Sequence, residues 1–258
     1  MTHKIVRLIL FSACATVLSM YTAGAASCTS YDGDSLATLI TGSVSCTYGG
    51  LTFSDFGYSG ASTSGNGTPV PSTVITVDAI TNMYGVGFGF TADWASGNPA
   101  PGPTPSYTDG DITFEVSTGN GAATIEDAGL SQTSGVLGNG FANVSEGICA
   151  GAGCSVGTFA IETFEGGDYT SGLCTAEGGT FSGGTCTLLD TDKVFTATGT
   201  VMVSKDIDAN SGTAGNANIT YVADTFSVVP EPRALPILLG LGLVAGLFLR
   251  KKFQSVSA

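Results

Sequence analysis

Between Ala26 and Val229 the chain has no histidine, no arginine and only two lysines, Lys193 and Lys205. The single histidine, His3, lies among the first few residues. These absences exclude His-based nucleophilic triads, His-ligated metal centres and bidentate guanidinium clamps on phosphate. Twenty of the 21 acidic residues fall in the same stretch, which therefore carries a net charge of −18. Such a surface repels a phosphate backbone rather than neutralising it, so no nucleic acid is expected as a partner. Tryptophan is scarce as well, with Trp94 alone. Helical periodicity is nearly missing, and the one convincing helix runs only from Ser35 to Ile40.

What fills the body instead is Gly, Thr, Ser, Val and Ala, broken into short runs of alternating apolar residues. Asp111 to Ser117 sets Ile112, Phe114 and Val116 against Asp111, Thr113, Glu115 and Ser117, the period-two pattern of a half-buried strand. Leu51–Tyr58, Thr73–Ile80, Met83–Phe90, Ala123–Asp127, Thr158–Thr163, Lys193–Ser204 and Ala217–Val228 read as further strands. In Lys193–Ser204 the apolar set changes face between Phe195 and Val201, which predicts a bulge at Gly199. Turn signals such as Asp109-Gly110, Gly119-Asn120-Gly121 and Asn210-Ser211-Gly212 separate the runs. The expected fold is all-β, an antiparallel sandwich of jelly-roll type over residues 26–228.

Six of the seven cysteines belong to this body, and an even number in an exported chain implies disulfides. Fifteen pairings are open; spacing favours Cys28–Cys46, Cys149–Cys154 and Cys174–Cys186, the last as a pin across a β-hairpin. Without histidine or a CxxC pair, zinc is not expected.

Chemistry has few candidates. A carboxylate-pair glycosidase could draw on Glu115, Glu126, Asp127, Glu162 and Glu165, yet acids on solvated strand faces are the simpler reading. Neither Lys193 nor Lys205 is marked out as a catalytic base. No firm metal site is read; the one cofactor candidate is calcium, for which Asp206, Asp208 and Asn210 offer alternating oxygen ligands in an expected loop. That loop departs from an EF-hand, with its glycine one residue late and Ala217 in the place of the closing Glu. The sequons at Asn66, Asn143 and Asn218 carry little weight. Tyr48, Tyr58, Tyr84, Trp94, Tyr107 and Tyr169 would serve the alternative reading of a carbohydrate-binding module, provided they line an exposed face.

The two ends read as addresses. Residues 1–25 show a positive start, an apolar run from Leu8 to Leu18, and small residues at Ala23 and Ala25, which predicts a secretory signal cleaved before Ala26. At the other end Val229-Pro230-Glu231-Pro232 precedes an apolar run from Ala234 to Leu249 and the basic cluster Arg250-Lys251-Lys252. Sixteen helical residues reach roughly 24 Å, a little short of a bilayer core of about 30 Å, which flanking residues can make up. The basic cluster should stay cytoplasmic and orient a transmembrane helix. This order of Pro-Glu-Pro, short apolar helix and terminal basic cluster resembles the PEP-CTERM sorting signal over residues 229–258. The resemblance implies a Gram-negative, exopolysaccharide-producing cell and recognition by an exosortase, which passes the body to the cell surface or matrix. It gives a location and no activity. The implied partners are signal peptidase, exosortase, the membrane and the exopolysaccharide. The expected body is a non-enzymatic structural or adhesive surface protein.

Overall fold

The computed structural model describes residues 25–97, 105–119, 123–166, 171–176 and 178–230. In chain order the elements are β1 (Ala26–Ser27), β2 (Asp34–Ser35), α1 (Leu36–Thr41), β3 (Cys46–Tyr48), β4 (Leu51–Ser64), β5 (Thr76–Asn82) and β6 (Gly85–Gly97). There follow β7 (Tyr107–Thr118), β8 (Ala123–Leu137), β9 (Phe141–Ala150), β10 (Gly157–Gly166) and α2 (Ser171–Ala176). The last described elements are β11 (Thr180–Ser182), β12 (Thr185–Leu188), β13 (Asp190–Thr198), β14 (Thr200–Asn210) and β15 (Asn216–Pro230).

These strands form two sheets, a nine-stranded one in the order β1-β3-β4-β7-β14-β9-β10-β12-β11 and a six-stranded one in the order β13-β8-β15-β6-β5-β2. Apart from the short parallel pair β1–β3, the described ladders are antiparallel. The sheets face one another across aromatic contacts. Phe53 of β4 meets Phe88 of β6 edge-on at 5.0 Å, and Phe114 of β7 meets Phe226 of β15 at 6.2 Å. Edge-to-face geometry sets the positive ring edge against the negative face, which favours these pairs beyond their burial. β7 shows why the alternation holds. Thr108, Gly110, Ile112, Phe114 and Val116 are buried, while the residues between them are only half-buried.

The short helix begins one residue later than expected, because Ser35 caps it. Its hydroxyl accepts from the Thr38 amide at 3.3 Å, satisfying one of the donors a helix start leaves free.

The predicted strand Lys193–Ser204 is corrected to two strands. β13 pairs with β8 in the six-stranded sheet, and β14 lies between β7 and β9 in the other. Gly199 is the point of transfer between sheets rather than a bulge. The apolar set changes face because the chain changes sheet; the register irregularity lies just upstream, between Val194 and Thr198.

Three disulfides join Cys28 to Cys46, Cys149 to Cys154 and Cys174 to Cys186. The expected pin across a hairpin is corrected in one respect. Cys174 sits in α2, so the bond ties that helix to β12 beside the β11–β12 hairpin and packs with Phe164 in a small second core.

The expected transmembrane helix 234–249 lies outside the described residues, as do Ala23, Glu231, Pro232, Arg250, Lys251 and Lys252. Among the described residues no helix is long and apolar enough to cross a membrane. Val229 and Pro230 are described, and they are strand. β15 runs past the expected boundary at residue 228 and pairs Val229 with Thr124 and Pro230 with Ala123 of β8. At the other end Ala26 opens β1, opposite Cys46.

Candidate functional site

The outer face of the nine-stranded sheet carries a cluster of acids. Side chains alternate along a strand, so β7 points Asp109, Asp111, Thr113 and Glu115 outward, and β14 points Met202, Ser204, Asp206 and Asp208 the same way. The register sets Asp206 opposite Asp111 and Asp208 opposite Asp109. Carboxylate oxygens of Asp109, Asp111 and Asp206 lie within 4.8 Å of one another. Ser59 donates to Asp111 Oδ2 at 3.3 Å. Asp109 Oδ1, Asp208 Oδ1 and, on β9, Asn143 Oδ1 are shielded from solvent with no hydrogen-bond partner.

Like charges directly opposite on a sheet repel, and here they do so half out of water. Burial, then a hydrogen bond and charge from Asp206, then Asp111 and Asp208 push Asp109 up to about 6. Burial, then Asp206, pushes Asp208 up to about 6. A carboxyl raised in the folded state binds a proton that the unfolded chain, near 3.9, releases. Stability should therefore rise as pH falls from 7 to about 5. Thermal unfolding across that range checks this, and the rise should flatten in D109N/D208N; a midpoint unmoved by pH in the wild type would contradict it.

The calcium expectation needs correction in its geometry. Asp206, Asp208 and Asn210 lie on a strand, not in a loop, and cannot wrap an ion together. Asn210 Oδ1 is engaged by the Gly212 amide at 2.9 Å. A hard cation would meet Asp109, Asp111 and Asp206 first, two of them from β7. Beyond these acids, with Ser59 on Asp111, no observation points to an ion, so the reading rests on charge alone.

Beside the acids, the same face holds an open depression of about 570 Å³ lined by Asp55, Thr113, Glu115, Met202, Ser204 and the Cys149–Cys154 disulfide. It gathers only Glu115 from the expected carboxylates. Glu126 and Asp127 are on β8 in the other sheet, where burial, then Asp192 and Glu126, raise Asp127. Glu162 is exposed on β10, and Glu165 accepts a hydrogen bond from Ser134 at 2.8 Å. Glu162 lines a separate depression with Asp192 and Lys193, so neither described depression gathers two of the five.

Nor do the rings named for sugar binding form a platform. Trp94 is completely buried. Tyr48, Tyr58, Tyr84 and Tyr107 are half-buried, with the Tyr58 hydroxyl donating to the Val70 carbonyl at 2.6 Å; Tyr169 lies outside the described residues.

The residues that sequence reasoning missed lie between the sheets. Lys205 of β14 is 0 % exposed, and its Nζ is 2.6 Å from Glu146 Oε2 of β9 and in contact with Asp224 Oδ1 of β15. Glu146 is 1 % exposed and Asp224 0 %. Burial works to lower the lysine pKa, but the charges of Asp224 and Glu146 outweigh it and hold the ammonium above the ordinary lysine range. Burial first, then the Glu146 charge, hold the Asp224 carboxyl well above the usual carboxylate range, with Lys205 opposing. A signal for all three was present. Each is the single charged residue on the buried side of its strand: Val201-Val203-Lys205-Ile207-Ala209, Ala142-Val144-Glu146-Ile148-Ala150 and Val222-Asp224-Phe226.

No family model matches the sequence. No curated protein matches it either. Among solved structures, part of a glycosylation-associated protein complex from Streptococcus agalactiae aligns at 11 % identity and TM-score 0.24, over 60 % of this chain and 24 % of that one. The enzymatically active domain of a tailspike protein from a bacteriophage aligns at 10 % identity and TM-score 0.20, over 64 % of this chain and 19 % of that one. A mannan-recognising carbohydrate-binding module aligns at 8 % identity and TM-score 0.25, over 68 % of this chain and 98 % of the module. The chain thus spans a quarter or less of the first two, and likenesses this remote carry no argument about function.

Proposed function

We propose that this chain is an exported precursor, routed by its C-terminal segment through an exosortase to the cell surface or exopolysaccharide matrix, where the two-sheet body is a non-enzymatic structural or adhesive element. The observation that carries the reading is the pairing of all six body cysteines in three disulfides. Such bonds persist outside the reducing cytosol. A body with this charge, and with its described ion pairs buried in the core, suits a scaffold. Binding of the matrix polysaccharide is the second reading, favoured by the open depression lined in part by Asp55 and Glu115.

In this reading signal peptidase cuts before Ala26, so the mature chain starts directly in β1. The tail helix holds the precursor in the inner membrane with Arg250, Lys251 and Lys252 inside. Pro230 and Pro232 have no amide hydrogen to donate to a ladder, which is the feature of the Pro-Glu-Pro motif this reading gives to the protease. The P230A/P232A variant should remain full-length in the membrane fraction of the native host, while the wild type is shortened and released. Normal release of the variant would overturn recognition through these prolines, and an intact cytosolic chain with free thiols would overturn export itself.

A further inference from the structure

We propose that Lys205 and Asp224 form an intramolecular isopeptide bond across the core of the sandwich, with Glu146 as the proton relay. The three side chains are in mutual reach, and they come from both sheets: Lys205 and Glu146 are directly paired on β14 and β9, and Asp224 faces them from β15. Their lateral neighbours are apolar. Ile112 lies beside Lys205, and Phe88 and Leu130 flank Asp224, each 1 % exposed or less. No solvent competes for the amine or the carboxyl. Asp224 Oδ2, the oxygen that would leave, has no hydrogen-bond partner, and neither does Glu146 Oε1.

The step needs no reagent beyond these groups. Glu146 takes a proton from the Lys205 ammonium, and the freed Nζ lone pair attacks Cγ of the protonated Asp224 carboxyl. The tetrahedral intermediate passes a proton from nitrogen to the departing hydroxyl through Glu146. The Cγ–N bond forms, the Cγ–O bond breaks, and one water leaves. Nothing is oxidised or reduced. An ammonium, a carboxylate and a carboxylic acid become an amide, a carboxylic acid and water, so the core ends without charge. Holding reactants in contact in a dry site replaces a bimolecular encounter with a unimolecular one, the condition under which an unactivated condensation proceeds. Charges left unreacted there would carry a desolvation cost that the amide does not.

The cation scarcity of the body makes the test simple. A trypsin digest of the reduced, denatured full chain should cut after Lys193 and Arg233 but not after Lys205, whose side chain is acylated. The expected product is one peptide, 194–233, lighter than its sequence by one water, about 18 Da. Tandem fragmentation should place the loss at a branch joining Lys205 to Asp224. The E146Q variant should yield peptides 194–205 and 206–233 at their sequence masses. Those two ordinary peptides from the wild type would overturn the bond. A cross-linked peptide from E146Q would overturn the relay.

Discussion

Lys205→Met should lower the stability of the body by about 3–5 kcal/mol, the usual consequence of stripping one partner from a buried ionic cluster. Methionine fills the volume, so the loss is electrostatic and not a cavity effect. What stays behind is Glu146 facing Asp224, two acids with essentially no solvent contact and no cation between them. The variant also loses the proposed covalent tie between the sheets, which moves the result in the same direction. Urea unfolding followed by the fluorescence of Trp94, the only tryptophan and a completely buried one, reads the change directly. Lys193→Met is the control. That lysine is exposed on β13, and its replacement should stay within about 0.5 kcal/mol. Equal behaviour of the two lysine variants would contradict a buried triad.

Gly87→Ala should abolish folding, or weaken it by more than about 4 kcal/mol. A Cβ built on Gly87 of β6 falls 1.7 Å from the backbone carbonyl oxygen of Asp224 on β15. The obstacle is main chain, so no side chain can turn aside, and relief requires prising β6 from the central strand of its sheet. Gly172 in α2 has nothing within 4 Å of its would-be Cβ, and alanine there should be tolerated or mildly stabilising. Expression and circular dichroism of the pair settle the matter; a folded G87A protein would refute the close approach.

Strand by strand, legibility followed how cleanly one face was apolar. β7 could be read because its outward positions are polar and its inward ones include Ile112, Phe114 and Val116. β9 escaped altogether. Its inward set is Ala142, Val144, Glu146, Ile148 and Ala150, where two small residues and a buried acid blur the period. The same acid explains why the triad was missed, since a lone charge reads as solvent-facing until its partners on β14 and β15 are known. The sheet change at Gly199 was visible as a phase shift but could not be told from a bulge, because both invert the alternation. Cysteine pairing was better marked, neighbours in sequence being neighbours in space. On the outer face, Asp206 and Asp208 were noticed on β14, whereas the opposing pair on β7 depended on cross-strand register, which no local pattern carries.

β15 has one more consequence. It is the last described strand, and it lies in the interior of its sheet, hydrogen-bonded to β8 on one side and β6 on the other. Antiparallel ladder bonds run perpendicular to the strands. Traction applied to the tail therefore pulls along β15 and loads both ladders in shear, many bonds at once. An edge strand pulled the same way would load a single ladder, so the interior position doubles the hydrogen-bonded length that resists traction along β15.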